Sequence, residues 1–563
     1  MVAGPAGAPG LSYGAAEFIA AEEMGRMRGY WWAPDGASLL VARVDETRVQ
    51  RWHIADPANP ARSPAAVAYP AAGTPNADVS LLVAGLDGRR AEVDIDWAAF
   101  PYLVTVAWEA GGDPLIVVQS RDQRVMRLLT ADPSTGATAV LREDTDPRWL
   151  DIVPGVPAWT GDGGTGDGRI VWAADSDGAR RLLVGTPAEL AGGASAAVTP
   201  PTLQVREILS VDGGAVLFTA SADDPTEIGL WLYRREGPGQ GGLAEISPPG
   251  GVHAGTRAAG TTVLTSRTMS EPGPAVRVLT DSPGGAVTEA AQIAVLAEPP
   301  TVPPPRPDRF AAGTRQIRSA LLLPSWHEPG SARLPVLLDP YGGPHAQRVL
   351  AAQGAFLTSQ WLAEQGFAVL VADGRGTPGR GPEWDRAVWH DLAGPVLEDQ
   401  VEALQAAAAR HPDLDTSRVA IRGWSFGGYL SALAVLRRPD VFHAAVAGAP
   451  VIDWRLYDTH YTERYLGLPD EQPEVYGQSS LLADAPRLTR PLLFIHGLAD
   501  DNVVVAHTLR MSSALLAAGR PHSVLPLSGV THMTPQEEVA ENLLLLQVGF
   551  LREALGLDSS RTA

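Results

Sequence analysis

Cysteine is absent from all 563 residues, which excludes disulfide scaffolds, thiol nucleophiles and cysteine-ligated metals and leaves the redox compartment open. Long apolar runs are missing too: no stretch approaches the ~20 residues that a membrane-spanning helix requires. The start, Met1-Val2-Ala3-Gly4-Pro5, has neither the basic residues nor the apolar core of a secretory signal. A cytoplasmic protein that meets no membrane is therefore expected. Positive charge is in deficit, with 44 Lys and Arg against 64 Asp and Glu and a net charge of −20. That balance argues against a nucleic-acid partner, which calls for a basic patch. None of the 12 histidines sits in an H-E-x-x-H pattern, so no metal and no cofactor are expected. Gly374-Arg375-Gly376-Thr377-Pro378-Gly379 lacks the Lys-Ser/Thr of a phosphate-binding loop and reads as a surface loop.

With 45% hydrophobic and 19% charged residues the chain has a globular composition, and its length suits two domains. From about residue 30 to 290, short strand-like runs such as Ser38-Leu39-Leu40-Val41-Ala42-Arg43 and Ala215-Val216-Leu217-Phe218-Thr219 alternate with Gly, Asp and Pro turns. Their recurrence every ~40–50 residues is that of β-propeller blades. A β-sandwich is the alternative, although so many strands would be large for one sandwich. Pro299-Pro300-Thr301-Val302-Pro303-Pro304-Pro305 can neither pair in a central strand nor continue a helix. It opens a linker placed at 299–316. From 317 onward strands and helices alternate, with 335–339, 367–372 and the amphipathic 396–410 as members, which predicts a doubly wound α/β sheet.

Inside that second half stands Gly423-Trp424-Ser425-Phe426-Gly427, between the strand-like 418–421 and the helix-like 430–436. A strand that enters a helix through so tight a turn leaves room only for small residues beside the serine and lifts its hydroxyl above the sheet edge. Leu492-Leu493-Phe494-Ile495-His496-Gly497 reads as a buried parallel strand, with Asp500 just beyond it. Ser523-Val524-Leu525-Pro526-Leu527 reads as the last strand, with His532 following. Serine, acid and histidine thus come in the chain order of an α/β-hydrolase. The chemistry needs all three, because a serine hydroxyl is a poor nucleophile until an imidazole takes its proton and a carboxylate fixes the imidazole's tautomer. Asp501 competes with Asp500 for the acid role, His532 also fits a surface position near the last helix, and His496 reads as structural.

A propeller-like half ahead of a hydrolase half, with Gly-Trp-Ser-Phe-Gly-Gly-Tyr at the elbow and His496-Gly497-Leu498-Ala499-Asp500-Asp501-Asn502-Val503 at the acid, resembles the prolyl oligopeptidase family of serine peptidases. Ala449-Pro450-Val451, Trp454, Tyr457-Asp458 and the run from Tyr461 to Gly467 are similar to the proline-pocket segment of its dipeptidyl peptidase IV-type branch. Ala21-Glu22-Glu23-Met24 before Tyr30-Trp31-Trp32 is similar to that branch's paired-glutamate segment. The resemblance implies that Glu22 and Glu23 take a substrate's free α-ammonium, and that Val451, Trp454, Tyr457, Tyr461, Val503 and Phe426 line a flat pocket for proline or alanine. It implies that the Phe426 N–H and the Tyr341 hydroxyl, in Tyr341-Gly342-Gly343-Pro344, form the oxyanion hole, and that Asn502 binds a substrate carbonyl. Read without it, the glutamates are a capping or solvated pair and the aromatics are ordinary core. Many relatives carry tyrosine where this chain has Phe426, and they carry well over a hundred residues ahead of the glutamates where it carries 21. Early blades and a carbonyl-binding arginine are thus missing, and a fragment or misassigned start is expected, the alternative being a real shortened form whose partial propeller leaves strand edges open. The activity implied is release of X-Pro or X-Ala dipeptides from short peptides with a free N-terminus, with homodimers a family habit. An acylaminoacyl peptidase, oligopeptidase or esterase, and a catalytically silent binding protein, are the other readings.

Overall fold

The computed structural model describes residues 9–557 apart from 111, 162–167, 194–195, 236–241, 283–285 and 535. The start examined for a signal, residues 1–5, lies outside the described residues.

The first half is all antiparallel sheet, apart from two short helices. Among the described residues five sheets of three or more strands follow one another along the chain, besides a two-stranded sheet of Arg51–Ile54 and Ala65–Ala68. The first joins Leu11–Ala15, Arg28–Trp32, Ser38–Asp45, Asp78–Gly85 and Arg90–Glu92, and the second runs from Tyr102–Ala107 to Thr138–Thr145. The third holds Ala158–Thr160, Arg169–Ser176 and Ala179–Gly185. The fourth begins at Gln204–Asp212, and the fifth begins at Val252–Ala258. Such strands cannot stand alone, and each sheet packs on its neighbours in the succession. One apolar cluster packs Leu40 and Val83 of the first sheet against Val118 and Leu129 of the second. Another packs Leu128 of the second against Trp172 of the third and Phe218 of the fourth, and Leu217 with Leu264 joins the fourth to the fifth. This face-to-face succession is the partial propeller expected from the spacing of the strand runs.

The second half is one eight-stranded sheet. Its strands are β1 (Asp308–Ala312), β2 (Ile317–Leu322), β3 (Leu334–Leu338), β4 (Ala368–Asp373), β5 (Leu414–Trp424), β6 (Ala444–Gly448), β7 (Leu492–Gly497) and β8 (Ser523–Leu527). They lie in the order β1-β2-β4-β3-β5-β6-β7-β8, antiparallel at the β1 and β2 edge and parallel from β4 onward. Strand β1 falls inside the stretch read as linker, because the five residues after the prolines recover a pairing partner in β2. Alternate residues of each central strand enter cores on opposite faces: Val336 and Leu338 on one side, Leu337 on the other, and likewise Leu370 against Val369 and Val371. Covering both faces is why these strands read as unbroken apolar runs.

Buried ion pairs fix one half on the other. Arg386, 3% exposed, donates to the Trp149 carbonyl at 2.8 Å and pairs with Asp175 at 2.7 Å and Asp146 at 3.2 Å. Arg121 grips both oxygens of Glu463 at 2.7 and 2.8 Å, while the Gln123 amide donates to the His460 carbonyl and accepts from Arg464 at 2.6 Å. Glu463, His460 and Arg464 all lie on the helix Thr459–Leu466, so the propeller side sets where that helix sits. No helix among the described residues is long and apolar enough to cross a membrane.

Candidate active site

Strand β5 runs directly into the helix Phe426–Arg437, and Ser425 occupies the corner with φ +58° and ψ −117°. A non-glycine residue held there stores on the order of 1–3 kcal/mol of strain, and the surroundings enforce it. A Cβ on Gly423 would lie 2.3 Å from the Gly427 backbone, and one on Gly427 would lie 2.8 Å from the Pro340 carbonyl, so neither position admits a side chain. The Ser425 N–H donates to the Gly448 carbonyl at 2.9 Å, which anchors the corner to β6.

The acid follows β7. Asp500 is 1% exposed. Its Oδ1 accepts the N–H groups of Asn502 and Val503 at 3.0 and 2.9 Å, and its Oδ2 lies 2.8 Å from His532 Nδ1. Burial pushes the Asp500 pKa up, but the hydrogen bonds and charges of His496 and His532 outweigh it and hold the carboxyl below its ordinary range. Asp501 is exposed, and burial with two backbone donors separates the two candidates. His496, fully buried, contacts the Val503 carbonyl at 2.6 Å and the Thr508 hydroxyl at 2.7 Å, which makes it a brace of the acid loop. The histidine loop is stitched to its neighbours by Ala499 N–H to the Val530 carbonyl at 3.0 Å and by the Trp424 indole to the His532 carbonyl at 2.7 Å. His532 therefore stands beside the elbow with Nδ1 engaged. Among the described residues no hydrogen bond joins its ring to the Ser425 hydroxyl, a contact that in such sites tightens when substrate arrives.

Phe426 opens its helix, where first-turn N–H groups have no intrahelical acceptor and the helix dipole favours negative charge. The Tyr341 ring leans on Phe426 at 6.0 Å between centroids, and its hydroxyl makes no hydrogen bond among the described residues. Burial, with Glu23 nearby, pushes the Tyr341 pKa up, so the phenol keeps its proton and can donate. Loss of one oxyanion donor costs about 10²–10³ in kcat. Tyr341→Phe is expected to show that fall with KM little changed in steady-state kinetics.

The aromatic residues assemble as a box. Trp454 and Tyr461 stack in parallel at 5.8 Å, Tyr457 stands edge-on to both, and Phe426 leans on Trp454 at 5.9 Å. Val451 and Val503 belong to the same buried cluster. Tyr429, which sequence reasoning passed over, touches Phe426 and Trp454 from below the elbow.

Glu22 and Glu23 end the six-residue helix Phe18–Glu23, whose cap is a different acid. Glu17 accepts from the Ile19 and Ala20 N–H groups at 2.6 and 2.9 Å, which removes the capping role from the pair. At the other end Arg26 reaches the Leu103 carbonyl at 3.1 Å and holds the helix to the second sheet. Glu22 accepts a hydrogen bond from the Asn502 side-chain amide, so the glutamate helix meets the acid loop. Asn502 has its side-chain amide nitrogen committed to Glu22, and its backbone carbonyl accepts the Tyr69 hydroxyl at 2.8 Å. Glu23 faces Asp458, the buried N-cap of the helix Thr459–Leu466. Sequence reasoning quoted Asp458 only as part of a segment; its one signal was an aspartate at the mouth of a helix.

An elbow serine, a buried aspartate and a histidine bonded to it, on an α/β-hydrolase sheet behind a stack of antiparallel sheets, define a serine hydrolase with a propeller-type companion. Residues 354–558 match the sequence model of the prolyl oligopeptidase family, and residues 5–266 match that of the dipeptidyl peptidase IV (DPP IV) N-terminal region. The chain belongs to the prolyl oligopeptidase family of serine peptidases. It is 27% identical to dipeptidyl peptidase 8 of Homo sapiens over 97% of its own length and 70% of that protein's. It is also 27% identical to the probable dipeptidyl-aminopeptidase B of Aspergillus clavatus, over 90% of this chain and 59% of that one. The crystal structure of Porphyromonas gingivalis dipeptidyl peptidase 4 superposes with a TM-score of 0.85 at 24% identity, covering 97% of this chain and 77% of the other.

Proposed function

We propose that the protein is a serine exopeptidase that removes dipeptides from the N-terminus of short peptides, with proline or alanine as the second residue. The observation that carries this reading is the bridge from Glu22 through Asn502 to the loop of Asp500. It brings the carboxylate pair to the loop of the acid, and in this reading a free α-ammonium held by the glutamates fixes the peptide two residues before the bond attacked. The aromatic box suits a flat, small ring or methyl group, and dipeptide release is what the names of the relatives state of those proteins.

In the proposed reaction Ser425 Oγ attacks the second residue's carbonyl carbon while His532 Nε2 takes the hydroxyl proton and Asp500 holds the imidazole. The oxyanion lies toward the Phe426 N–H and the Tyr341 hydroxyl. His532 returns the proton to the leaving amine, and water, deprotonated by the same nitrogen, then breaks the dipeptidyl ester and restores Ser425. Hydrolysis of Gly-Pro-p-nitroanilide, compared with its N-blocked counterpart, tests the reading, with Ser425→Ala as control. Cleavage of only the free-amine peptide supports it, whereas equal cleavage of both favours an oligopeptidase or esterase. The Glu22→Gln, Glu23→Gln double variant is expected to lose about 30- to 1,000-fold in kcat/KM on the free-amine peptide. It should keep its rate on p-nitrophenyl acetate, which carries no amine.

A further inference from the structure

Asp458 has no surface exposure. Its Oδ1 accepts the Tyr461 N–H at 2.9 Å, which caps the helix, while its Oδ2 is buried without any hydrogen-bond donor. The side chain within hydrogen-bond range of the Asp458 carboxyl is the carboxyl of Glu23. Two carboxylate oxygens are both acceptors, and removed from water they repel unless a proton lies between them. Arg464, whose charge lowers Glu23 without overcoming its burial, is engaged with Gln123 at 2.6 Å and lies 3.6 Å from Asp151.

We propose that Asp458 is a third carboxylate of the amine site, that it shares one proton with Glu23 in the free protein, and that the α-ammonium of a bound peptide displaces this proton. The inference rests on the dipeptide reading above and adds to it a proton count. Before binding, Glu23 and Asp458 carry one negative charge between them. On binding, the ammonium supplies the positive charge, the carboxyl O–H breaks and its proton passes to solvent. The peptide therefore enters with one proton released.

The surroundings agree. Burial first, then the charge of its partner, pushes Glu23 up, and burial pushes Asp458 up despite the Tyr461 N–H. Glu22 on the same helix adds a like charge. From the facing elements come Tyr69, Tyr341, Tyr457 and Tyr461, each with its pKa raised mainly by burial and so neutral. Across a cavity of about 330 Å³ beyond Glu23, Asp151 pairs with Arg180, burial lowers His345 to about 4, and Asp385 is pushed up to about 8. None of these supplies a mobile positive charge to the pair.

The test titrates Ser425→Ala protein with Gly-Pro-p-nitroanilide by calorimetry, between about pH 6 and the ~8 at which the peptide amine itself titrates. Two buffers of different ionisation enthalpy are used. Close to one proton released per peptide is expected, with affinity rising by up to about tenfold per pH unit. In the Ser425→Ala, Asp458→Asn protein the asparagine oxygen still caps the helix and its NH₂ donates to Glu23, so binding should persist with no proton released. Binding without release by Ser425→Ala protein, or equal release by both proteins, overturns the proposal. Should Asp458→Asn fail to fold, the count for Ser425→Ala alone decides. If free-amine-only cleavage is found and no proton is released, only this inference falls. If N-blocked peptide binds as well as free, the dipeptide reading falls and takes the inference with it.

Discussion

Ser425→Ala is expected to lower kcat on Gly-Pro-p-nitroanilide by about 10⁴–10⁶-fold, because removal of a nucleophile leaves only the binding site and oxyanion donors to act on water. The fold offers a control on that result. The corner at Ser425 is held by the Ser425 N–H bond to Gly448 and by the packing of Gly423 and Gly427, none of which uses the hydroxyl. Alanine keeps the Cβ and hence the same strain at φ +58°. Thermal stability should therefore stay within about 0.5 kcal/mol of the parent, as for a substitution that removes no packing. A variant as stable as the parent and inactive on every ester and peptide would place the loss in the chemistry. A variant with most of its activity intact would remove Ser425 from the reaction.

The residues best read from sequence were those tied to a local rule. Ser425 was legible because a strand, a glycine-flanked corner and a helix lie within some twenty residues. Asp500 and His532 were legible as residues just past strands β7 and β8. What separates Asp500 from its neighbour in the same turn is its burial, its two backbone donors and its contact with His532, which only the folded chain shows. The glutamate pair carries no periodicity, and its helix spans only Phe18–Glu23. Family likeness found it, and the structure then assigned the cap to Glu17. What sequence could not supply is pairing across distance: Asn502 meets Glu22 480 positions away, and the register of each propeller sheet depends on which neighbour it packs against. The same reason hid β1 within a proline-rich stretch, because a strand at a sheet edge is defined by its partner.

The two halves of the proposed site come from different ends of the chain, so their spacing is a property of the interface. The helix Phe18–Glu23 is fastened to the second sheet through Arg26, and that sheet's Arg121 and Gln123 grip the helix Thr459–Leu466, which carries Tyr461. A continuous path of hydrogen bonds therefore joins the glutamate helix to the helix that carries Tyr461. Counting two residues requires such a path, because a 1 Å error in placing the scissile carbonyl against Ser425 is enough to lose about 10²-fold in rate.

Asp500→Asn is expected to lower kcat by about 10⁴-fold with the fold intact. The argument rests on which oxygen does what. Oδ1 accepts the N–H groups of Asn502 and Val503, so an asparagine settles with its oxygen there and turns its NH₂ toward His532. Two donors cannot face each other, so Nδ1 of His532 must then become the acceptor and the ring proton moves to Nε2. In the proposed reaction Nε2 is the atom that takes the Ser425 proton, and in that tautomer it has no lone pair to offer. In the parent the Asp500 carboxyl lies below its ordinary range and is ionised at neutral pH, which fixes the opposite tautomer. The imidazole of the variant is thus disabled by its orientation of charge, with KM unchanged because no substrate contact is lost. The loss should shrink as pH rises if hydroxide replaces the missing base. A variant that keeps more than about a tenth of parental kcat would mean that Asp500 does not set the tautomer.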